Sequence, residues 1–410
     1  GSYRLHLEYS GKMSAKDSGG AGRHKEGGEW YVTTHFEPID ARRVFPCFDE
    51  PGFKVPWQLN MVVRSTDKAL TNTRQLRETD IGGGMKRVEF APTQPLPSYL
   101  IAWAVGPFDI VDAGKSARSG TPVRVVTPRG QQAQAAWAGS CSAELLSLLE
   151  EYFGINYPYD KMDVVAVPML GGAMEHPGLV TFDQTLLLNS ADRDTIGRKR
   201  AYADVATHEF AHQWFGDLVT TQFWDDLWLN EAFATWMTPK IIERWQPSWG
   251  SSTGRVFTRN GAMGTDSMIT ARQIRQPIET NNDIKNAFDG ITYGKGASVI
   301  AMFERWIGAA AFQKGVQRYM REHAHGNATA RDFLAAISTE AGRDIAPAFA
   351  TFLDQAGVPL LRMDLTCQAG GPTTLKWAQS RYLPEGSEGA AQATGQLWQV
   401  PVCVRWKAGQ

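Results

Sequence analysis

The stretch that decides the fold is residues 208–237, HEFAHQWFGDLVTTQFWDDLWLNEAFATWM. It begins with His208 and His212, whose spacing of four places both imidazoles on one face of a helix. Two imidazoles placed in this way can bind one zinc ion, and Glu209 beside them can remove a proton from a water molecule. The apolar residues around the two histidines favour a buried helix over two unrelated histidines. The stretch therefore predicts a metal-dependent hydrolytic centre.

The third ligand is expected on a neighbouring element, because a catalytic zinc site has three protein ligands and one open position. Glu231 fits this role, since residues 213–230 leave room for a turn and the start of a second helix. Its surroundings, WLNEAFA, are strongly apolar, and a lone buried carboxylate there would be costly unless it met a cation. We therefore expect His208, His212 and Glu231 to bind one Zn²⁺ per chain.

Composition and charge exclude several classes of function. Lys and Arg total 42 against 43 for Asp and Glu, a net charge of -1, so no basic excess would attract nucleic acid or an anionic membrane. No run of about 18 apolar residues occurs, and membrane insertion is therefore not expected. A chain of 410 residues is expected to form more than one domain. Nothing in the sequence indicates a cellular compartment.

The pattern of apolar residues changes along the chain. Helical spacing predicts a helix over 135–153 that ends at Gly154, and mostly helices from about 192 to 343. Period-two alternation or short apolar runs predict strands before and after this region. These strands are expected at 3–9, 30–34, 57–64, 86–90, 99–105, 123–127, 164–167, 360–365, 374–379 and 398–404.

Residues 208–237 resemble the gluzincin aminopeptidases of the M1 family, which carry HExxH, eighteen residues and then Glu. Four further blocks match that family in the same order. They are residues 34–51, similar to its N-domain block; 172–176, GAMEH, similar to its GAMEN motif; 292–296, around its catalytic tyrosine; and 352–359, the entry to its small β-domain. The resemblance covers nearly the whole chain.

The resemblance implies a multidomain α+β fold. An N-terminal β-saddle domain over 1–124 would be followed by a thermolysin-like zincin catalytic domain over 125–356. Residues 357–410 would begin a small β-sandwich domain. It also implies that the first strands of the saddle precede residue 1 and that the β-sandwich is incomplete. We expect the chain to act as a monomer.

By the same resemblance the chain would be a zinc-dependent aminopeptidase that hydrolyses the N-terminal peptide bond of peptides. Glu209 would act as general base, and Tyr293 would stabilise the oxyanion of the tetrahedral intermediate. Glu175 and Glu37 would bind the ammonium group of a substrate with a free N-terminus.

The resemblance also assigns a substrate pocket, lined by His35, Gly171, Gly172, Ala173 and Met174. We expect Gly171 to leave room for long or aromatic side chains of the first substrate residue. His35, where the family usually has Gln, would make the pocket wall polar. Two further departures from the family pattern are His176 in place of Asn and Ala232 in place of Gly.

The two metal-binding histidines need acceptors for their second ring nitrogens. Such acceptors are usually carboxylates or main-chain carbonyl groups. The sequence offers Asp217, Asp225 and Asp226 as candidates, although acids in a loop are also commonly solvated.

Three other functions remain open on the sequence alone. A thermolysin-like endopeptidase would share the zinc centre but would not need Glu175 and Glu37. An epoxide hydrolase of the same superfamily would be expected to depart from the N-domain block at Glu37. A metal-free binding scaffold would be expected to lose the ligands or the base, all of which are present here.

Overall fold

A computed structural model of the chain describes residues 1, 3–15, 19–168, 170–368, 371–387 and 395–405. Its strands are β1 (Gly20–Glu26), β2 (Glu29–His35), β3 (Asn60–Arg64), β4 (Lys68–Thr71), β5 (Gln75–Gly82), β6 (Met85–Phe90), β7 (Trp103–Gly106), β8 (Phe108–Lys115), β9 (Pro122–Pro128), β10 (Met162–Val167), β11 (Ala173–Met174), β12 (Leu179–Asp183), β13 (Thr220–Thr221), β14 (Asn327–Ala328), β15 (Val358–Thr366) and β16 (Thr374–Tyr382). Its α-helices are α1 (Ala136–Phe153), α2 (Gln184–Leu187), α3 (Ile196–His212), α4 (Leu227–Trp245), α5 (Ser251–Asp266), α6 (Asn281–Asn286), α7 (Gly296–Ile307), α8 (Ala309–Glu322), α9 (Ala330–Ala341) and α10 (Ala346–Leu353). A π-helical turn spans Ile291–Lys295 and leads directly into α7.

The chain divides into two compact units. The first comprises Gly1–Trp224, Met237–Ser251 and Gln317–Thr329, and the second comprises Asp225–Trp236, Ser252–Val316 and Ala330–Gln410. The division runs within α4 and within α8, so each of these helices contributes to both units.

The N-terminal part of the first unit is built from antiparallel sheets with the strand orders β1-β2-β7-β4 and β3-β6-β5. Strand β6 shows the alternation of buried and exposed side chains that is typical of a strand, because Val88 and Phe90 are buried whereas Arg87 is exposed. Val88 and Phe90 pack with Val63 and Ala69 in one apolar cluster. The outward residues remain polar, as expected for sheets with one buried face.

The first unit also contains a five-stranded sheet with the order β11-β12-β10-β9-β8. Strands β9, β10 and β12 are parallel, and β10 is buried along its whole length. Such a strand needs cover on both faces, which accounts for its apolar run. Helix α1 contacts β8, β9 and α3, and Gly154 ends α1 with a φ of 66°. The sheet thereby supports α3.

The second unit is mostly helical. Phe303 of α7 packs on Phe349 of α10 with ring centroids 4.4 Å apart, and Trp228 of α4 packs on the same phenylalanine at 5.9 Å. These buried rings join three helices around one core. The antiparallel pair β15 and β16 follows at the C-terminal side of the unit.

The expected multidomain α+β class is confirmed, with β-rich residues first and most of the helices after them. Two predicted strands are wrong, because residues 3–9 and 398–404 form no strand. The strand predicted over 99–105 begins only at Trp103, since Ser98–Leu100 forms a 3₁₀ turn. The domain bounds 1–124, 125–356 and 357–410 remain a prediction. Among the described residues, no helix combines the length and apolar character needed to cross a membrane.

Candidate metal centre

Helix α3 carries the two histidines in its last two turns. The helix begins where the hydroxyl oxygen of Thr195 accepts a hydrogen bond from the Arg198 amide at 3.3 Å. His208 lies thirteen residues after Thr195 and is half-buried, whereas His212 is almost completely buried. Their rings lie edge to face with centroids 4.7 Å apart, and their Nε2 atoms are separated by 3.1 Å. The helical spacing therefore brings two imidazole nitrogens together.

A main-chain carbonyl group sets the orientation of the His212 ring. Its Nδ1 lies 3.0 Å from the carbonyl oxygen of Phe215, and a carbonyl can only accept, so Nδ1 carries the proton. The lone pair of Nε2 is then left for a metal. The expectation that Asp217, Asp225 or Asp226 orients this ring is therefore wrong. Asp226 instead caps α9 by accepting from the Ala330 amide at 2.8 Å.

Glu231, in the second turn of α4, completes a group of three possible ligands. One ligand atom from each of His208, His212 and Glu231 lies within 4.8 Å of the others, and Glu231 is 4% exposed. Two nitrogens bound to the same tetrahedral zinc at about 2.0–2.1 Å are roughly 3.3 Å apart, close to the separation of the two Nε2 atoms. Two imidazoles and one carboxylate are a donor set that suits zinc. The three residues fit the metal that the sequence predicts.

Acidic groups surround the buried end of α3. Glu209 is almost completely buried, as is Glu175 in the turn after β11. Burial raises the pKa of Asp217 well above its usual value, and the nearby charges of Glu175 and Glu209 raise it further, whereas His212 opposes them. Glu175, Glu209 and His212 therefore lie within electrostatic range of one carboxyl group. The structure brings the expected base and one expected ammonium-binding residue to the same end of α3.

Gln213, at the end of α3, holds the turn that contains Glu175 in place. Gln213, which directly follows His212, donates from Nε2 to the carbonyl oxygen of Glu175 at 2.6 Å. Its Oε1 accepts from the Tyr157 hydroxyl at 2.9 Å, and that hydroxyl accepts from the Gly178 amide at 3.1 Å. Nothing in the sequence predicts this chain of bonds except the position of Gln213 next to His212.

The Gly-rich turn before Glu175 has a backbone that only glycine adopts easily. Gly171 has a φ of 77° and Gly172 a φ of 138°, and a Cβ on either would meet no atom within 4 Å. The Asp183 carboxylate accepts from the Gly171 amide at 3.2 Å. Ala173 and Met174 then form β11 beside β12. Gly171 is exposed, so a side chain there would meet open space, and the assignment of the pocket itself remains a prediction.

Two histidines lie near one another beside the Glu175 turn. His176 is completely buried, with its Nδ1 3.4 Å from the Thr181 hydroxyl. Burial lowers the pKa of His176 well below its usual value, and His35 at the end of β2 lowers it further. The segment that carries His35 and the half-buried Glu37 is therefore close to the segment that carries Glu175. A role for Glu37 at the substrate N-terminus remains a prediction.

Tyr293 lies in the second unit, in the middle of the π-helical turn. Its amide donates to the Asp289 carbonyl oxygen at 3.1 Å. The π-helix is rare, occurs mostly as single turns next to or inside α-helices, and is frequent at functional sites.

Lys54 is a further residue that the sequence did not single out. Its Nζ donates to the carbonyl oxygens of Asp217, Leu218 and Gly326 at 2.9, 3.1 and 3.1 Å. The ammonium group thus holds the loop that follows α3 in position, together with the loop before β14.

Two family models match the chain. The peptidase family M1 domain matches residues 137–352, and the peptidase M1 N-terminal domain matches residues 1–100. The first match covers more than half of the 410 residues and includes α3, α4 and the π-helical turn.

The chain is also similar to curated proteins from fungi, plants and a microsporidian. It is 34% identical to aminopeptidase 2 of Candida albicans over 93% of this chain and 41% of that protein. It is 36% identical to aminopeptidase M1 of Arabidopsis thaliana over 91% and 41%, and 34% identical to the probable M1 family aminopeptidase 1 of Encephalitozoon cuniculi over 98% and 46%. The chain therefore spans less than half the length of these relatives.

Proposed function

Because the chain belongs to peptidase family M1, we propose that it is a zinc-dependent aminopeptidase that removes the N-terminal residue of peptides. The relatives with similar sequences are named aminopeptidases, which supports this activity. The observation that carries the proposal is the convergence of His208, His212 and Glu231. That the chain acts as a monomer also remains a prediction.

Zinc held by these three ligands supplies Lewis acidity, which polarises a carbonyl oxygen and lowers the pKa of a water molecule towards about 7. Glu209 is the group that takes the proton of the attacking water, since it follows His208 on the same helix and is almost completely buried. Its carboxyl then passes the proton to the departing amine. The buried carboxylate thus acts as base and afterwards as acid.

Tyr293 is proposed to donate its hydroxyl hydrogen to the oxyanion that develops on the attacked carbonyl. Two features support this role: the position of Tyr293 within the family motif and its place in a π-helical turn. A donor that is already oriented costs no reorganisation when the charge forms.

Recognition of a free N-terminus is assigned to Glu175 and Glu37. A carboxylate pair binds an ammonium group through charge-assisted hydrogen bonds, which a blocked N-terminus cannot make. The burial of Glu175 strengthens such a bond, because the local dielectric constant is low. This role distinguishes the proposed exopeptidase from an endopeptidase with the same zinc centre.

The pocket for the first substrate residue is proposed to include His35 and Gly171. The open space at Gly171 supports acceptance of long or aromatic side chains. A panel of aminoacyl reporter amides tests this, and a preference confined to Ala and Gly would contradict it. Replacement of Gly171 by Met would be a poor test, because its φ of 77° strains any side chain.

The experiment that tests the proposed function compares hydrolysis of matched peptides with free and N-acetylated ends. We expect the zinc-loaded chain to cut only the free peptides, and we expect the rate to fall with a chelator or with Glu209→Ala. Cleavage of the acetylated peptides would instead identify an endopeptidase. A failure to bind zinc, with no cleavage of either peptide, would instead support the metal-free binding scaffold.

A further inference from the structure

The π-helical turn that carries Tyr293 is held by one ion pair. The carboxylate of Asp289 accepts from the Arg272 guanidinium at 3.1 Å from Nε and at 2.5 Å from Nη2. This two-point geometry fixes the direction of both groups, as a single lysine contact would not. The pair is only partly exposed, with side-chain exposures of 18% for Arg272 and 39% for Asp289.

Asp289 binds three successive amides of the turn. Its Oδ1 accepts from Ile291 at 2.8 Å and from Thr292 at 3.2 Å, and its carbonyl oxygen accepts from Tyr293 at 3.1 Å. The amides of a first helical turn have no acceptor within the helix, and Asp289 supplies one for each of these three. The backbone that leads into Tyr293 is therefore tied to one residue.

Arg272 also binds the turn directly, in addition to its ion pair with Asp289. Its Nη2 donates to the Thr292 hydroxyl at 2.7 Å and to the Ala287 carbonyl at 3.0 Å. Its Nη1 donates to the carbonyl oxygens of Gln273 and Ile274, which belong to its own loop. The guanidinium thus connects the loop after α5 to both ends of the segment between α6 and Tyr293.

A π-helical turn needs such support, because it inserts one extra residue and its hydrogen bonds span five residues instead of four. The bond from the Gly296 amide to the Ile291 carbonyl has this span. Without the ion pair, the turn could relax to an ordinary helix and rotate the side chain of Tyr293. An error of about 1 Å in the position of a catalytic group can cost on the order of 100-fold in rate.

We propose that Arg272 and Asp289 are positioning residues, which hold Tyr293 in the direction that its hydroxyl needs. The inference rests on the proposed catalytic role of Tyr293. Neither residue is expected to touch the substrate or the metal. Their effect on the reaction would pass through Tyr293 alone.

A double-mutant cycle in the zinc-loaded, full 410-residue chain tests this. We expect Asp289→Ala to lower kcat about tenfold with little change in KM, and to lower it less than about twofold when Tyr293→Phe is already present. Asp289→Asn, which keeps one acceptor oxygen, should recover part of the lost rate. An equal loss in both backgrounds, or no loss in the wild-type background, would overturn the inference.

A matched control is Asp354→Ala, which breaks the similarly exposed pair of Asp354 with Arg275. It should leave kcat unchanged. If Tyr293→Phe itself has no effect on kcat, the proposed catalytic role fails, and amide hydrogen exchange then decides the positioning. We expect Asp289→Ala to speed exchange at Ile291 and Thr292 at least tenfold and Asp354→Ala to leave it unchanged. Unchanged exchange in Asp289→Ala would overturn the inference.

Discussion

Gly296 lies against Ala232, the residue that follows Glu231. A Cβ atom added to Gly296 would lie only 2.5 Å from the Cβ of Ala232, far closer than two non-bonded carbon atoms can approach. The φ of Gly296 is -55°, an ordinary helical value, so glycine is needed here for space and not for backbone conformation. The first turn of α7 and the part of α4 that carries Glu231 are therefore in direct contact.

Substitution of Gly296 by Ala is expected to displace α4 next to Glu231. Overpacking of this kind costs about 1–3 kcal/mol, and it should also weaken zinc binding because Glu231 moves. Urea unfolding and a zinc titration measure the two effects. The control is Gly264→Ala in α5, where an added Cβ meets no atom within 4 Å. This substitution should raise the free energy of unfolding by about 0.4–1 kcal/mol. Equal effects of the two variants would contradict the packing argument.

His176 is expected to make the folded chain sensitive to acid. Its pKa is well below 6.5 in the folded state because burial, reinforced by His35, opposes the charged ring. Below pH 6.5 the unfolded chain therefore binds a proton that the folded chain does not. The stabilising contribution is complete above 6.5, and the free energy of unfolding falls by about 1.4 kcal/mol per pH unit below it, until folded His176 is protonated.

The measurement compares His176→Asn with the wild type by urea unfolding at pH 7.5 and pH 5.5. The stability of the variant relative to the wild type should rise by about 1 kcal/mol between the two values. His6→Asn is the control, since the side chain of His6 is 82% exposed. Parallel pH curves for wild type and His176→Asn would show that the ring is protonated as easily in the folded chain as in the unfolded one.

Lys54 is expected to stabilise the loop after α3 through its three carbonyl acceptors. In Lys54→Met these oxygens lose the ammonium donor and keep one weaker, uncharged donor each, and we expect a loss of about 1–3 kcal/mol in the free energy of unfolding. Lys68→Met, at an exposed position in β4, is the matched control. A loss no larger than that of the control would mean that water replaces the ammonium group at no cost.

Zinc is expected to stabilise the chain through Glu231 as well as through the two histidines. At a free zinc concentration 100 times the Kd, the gain in stability should be about 2.7 kcal/mol. Glu231→Gln should weaken zinc binding by more than the roughly 10–100-fold that loss of an outer-sphere partner costs. Glu243→Gln, further along α4, should bind zinc normally. Unaltered zinc affinity in Glu231→Gln would exclude Glu231 as a ligand.

The metal centre could be predicted because the residues that define it lie within one short stretch of the sequence. The spacing of His208 and His212 already defines one helical face, and the cost of burying Glu231 indicates a cation. What could not be predicted depends on residues distant in sequence. Lys54 meets carbonyl groups near residues 217 and 326, and Arg272 meets Asp289 only after the chain has folded.

The two wrong strands show the same limit. Alternating apolar residues at 3–9 predict a strand, but a strand also needs a hydrogen-bonding neighbour, which these residues do not have within the described part of the chain. Near the other end, the main chain of Trp398 makes both of its bonds, each 3.0 Å long, with the side chain of Gln379. A side-chain partner of this kind replaces strand pairing and leaves no pattern in the sequence.

The proposed metal centre is tested most sharply by X-ray diffraction from a crystal of the zinc-loaded chain at the zinc absorption edge. We predict one anomalous peak per chain, at about 2.0–2.2 Å from Nε2 of His208, Nε2 of His212 and a carboxylate oxygen of Glu231. A zinc ion bound by other residues, or one without Glu231 among its ligands, would contradict this metal centre.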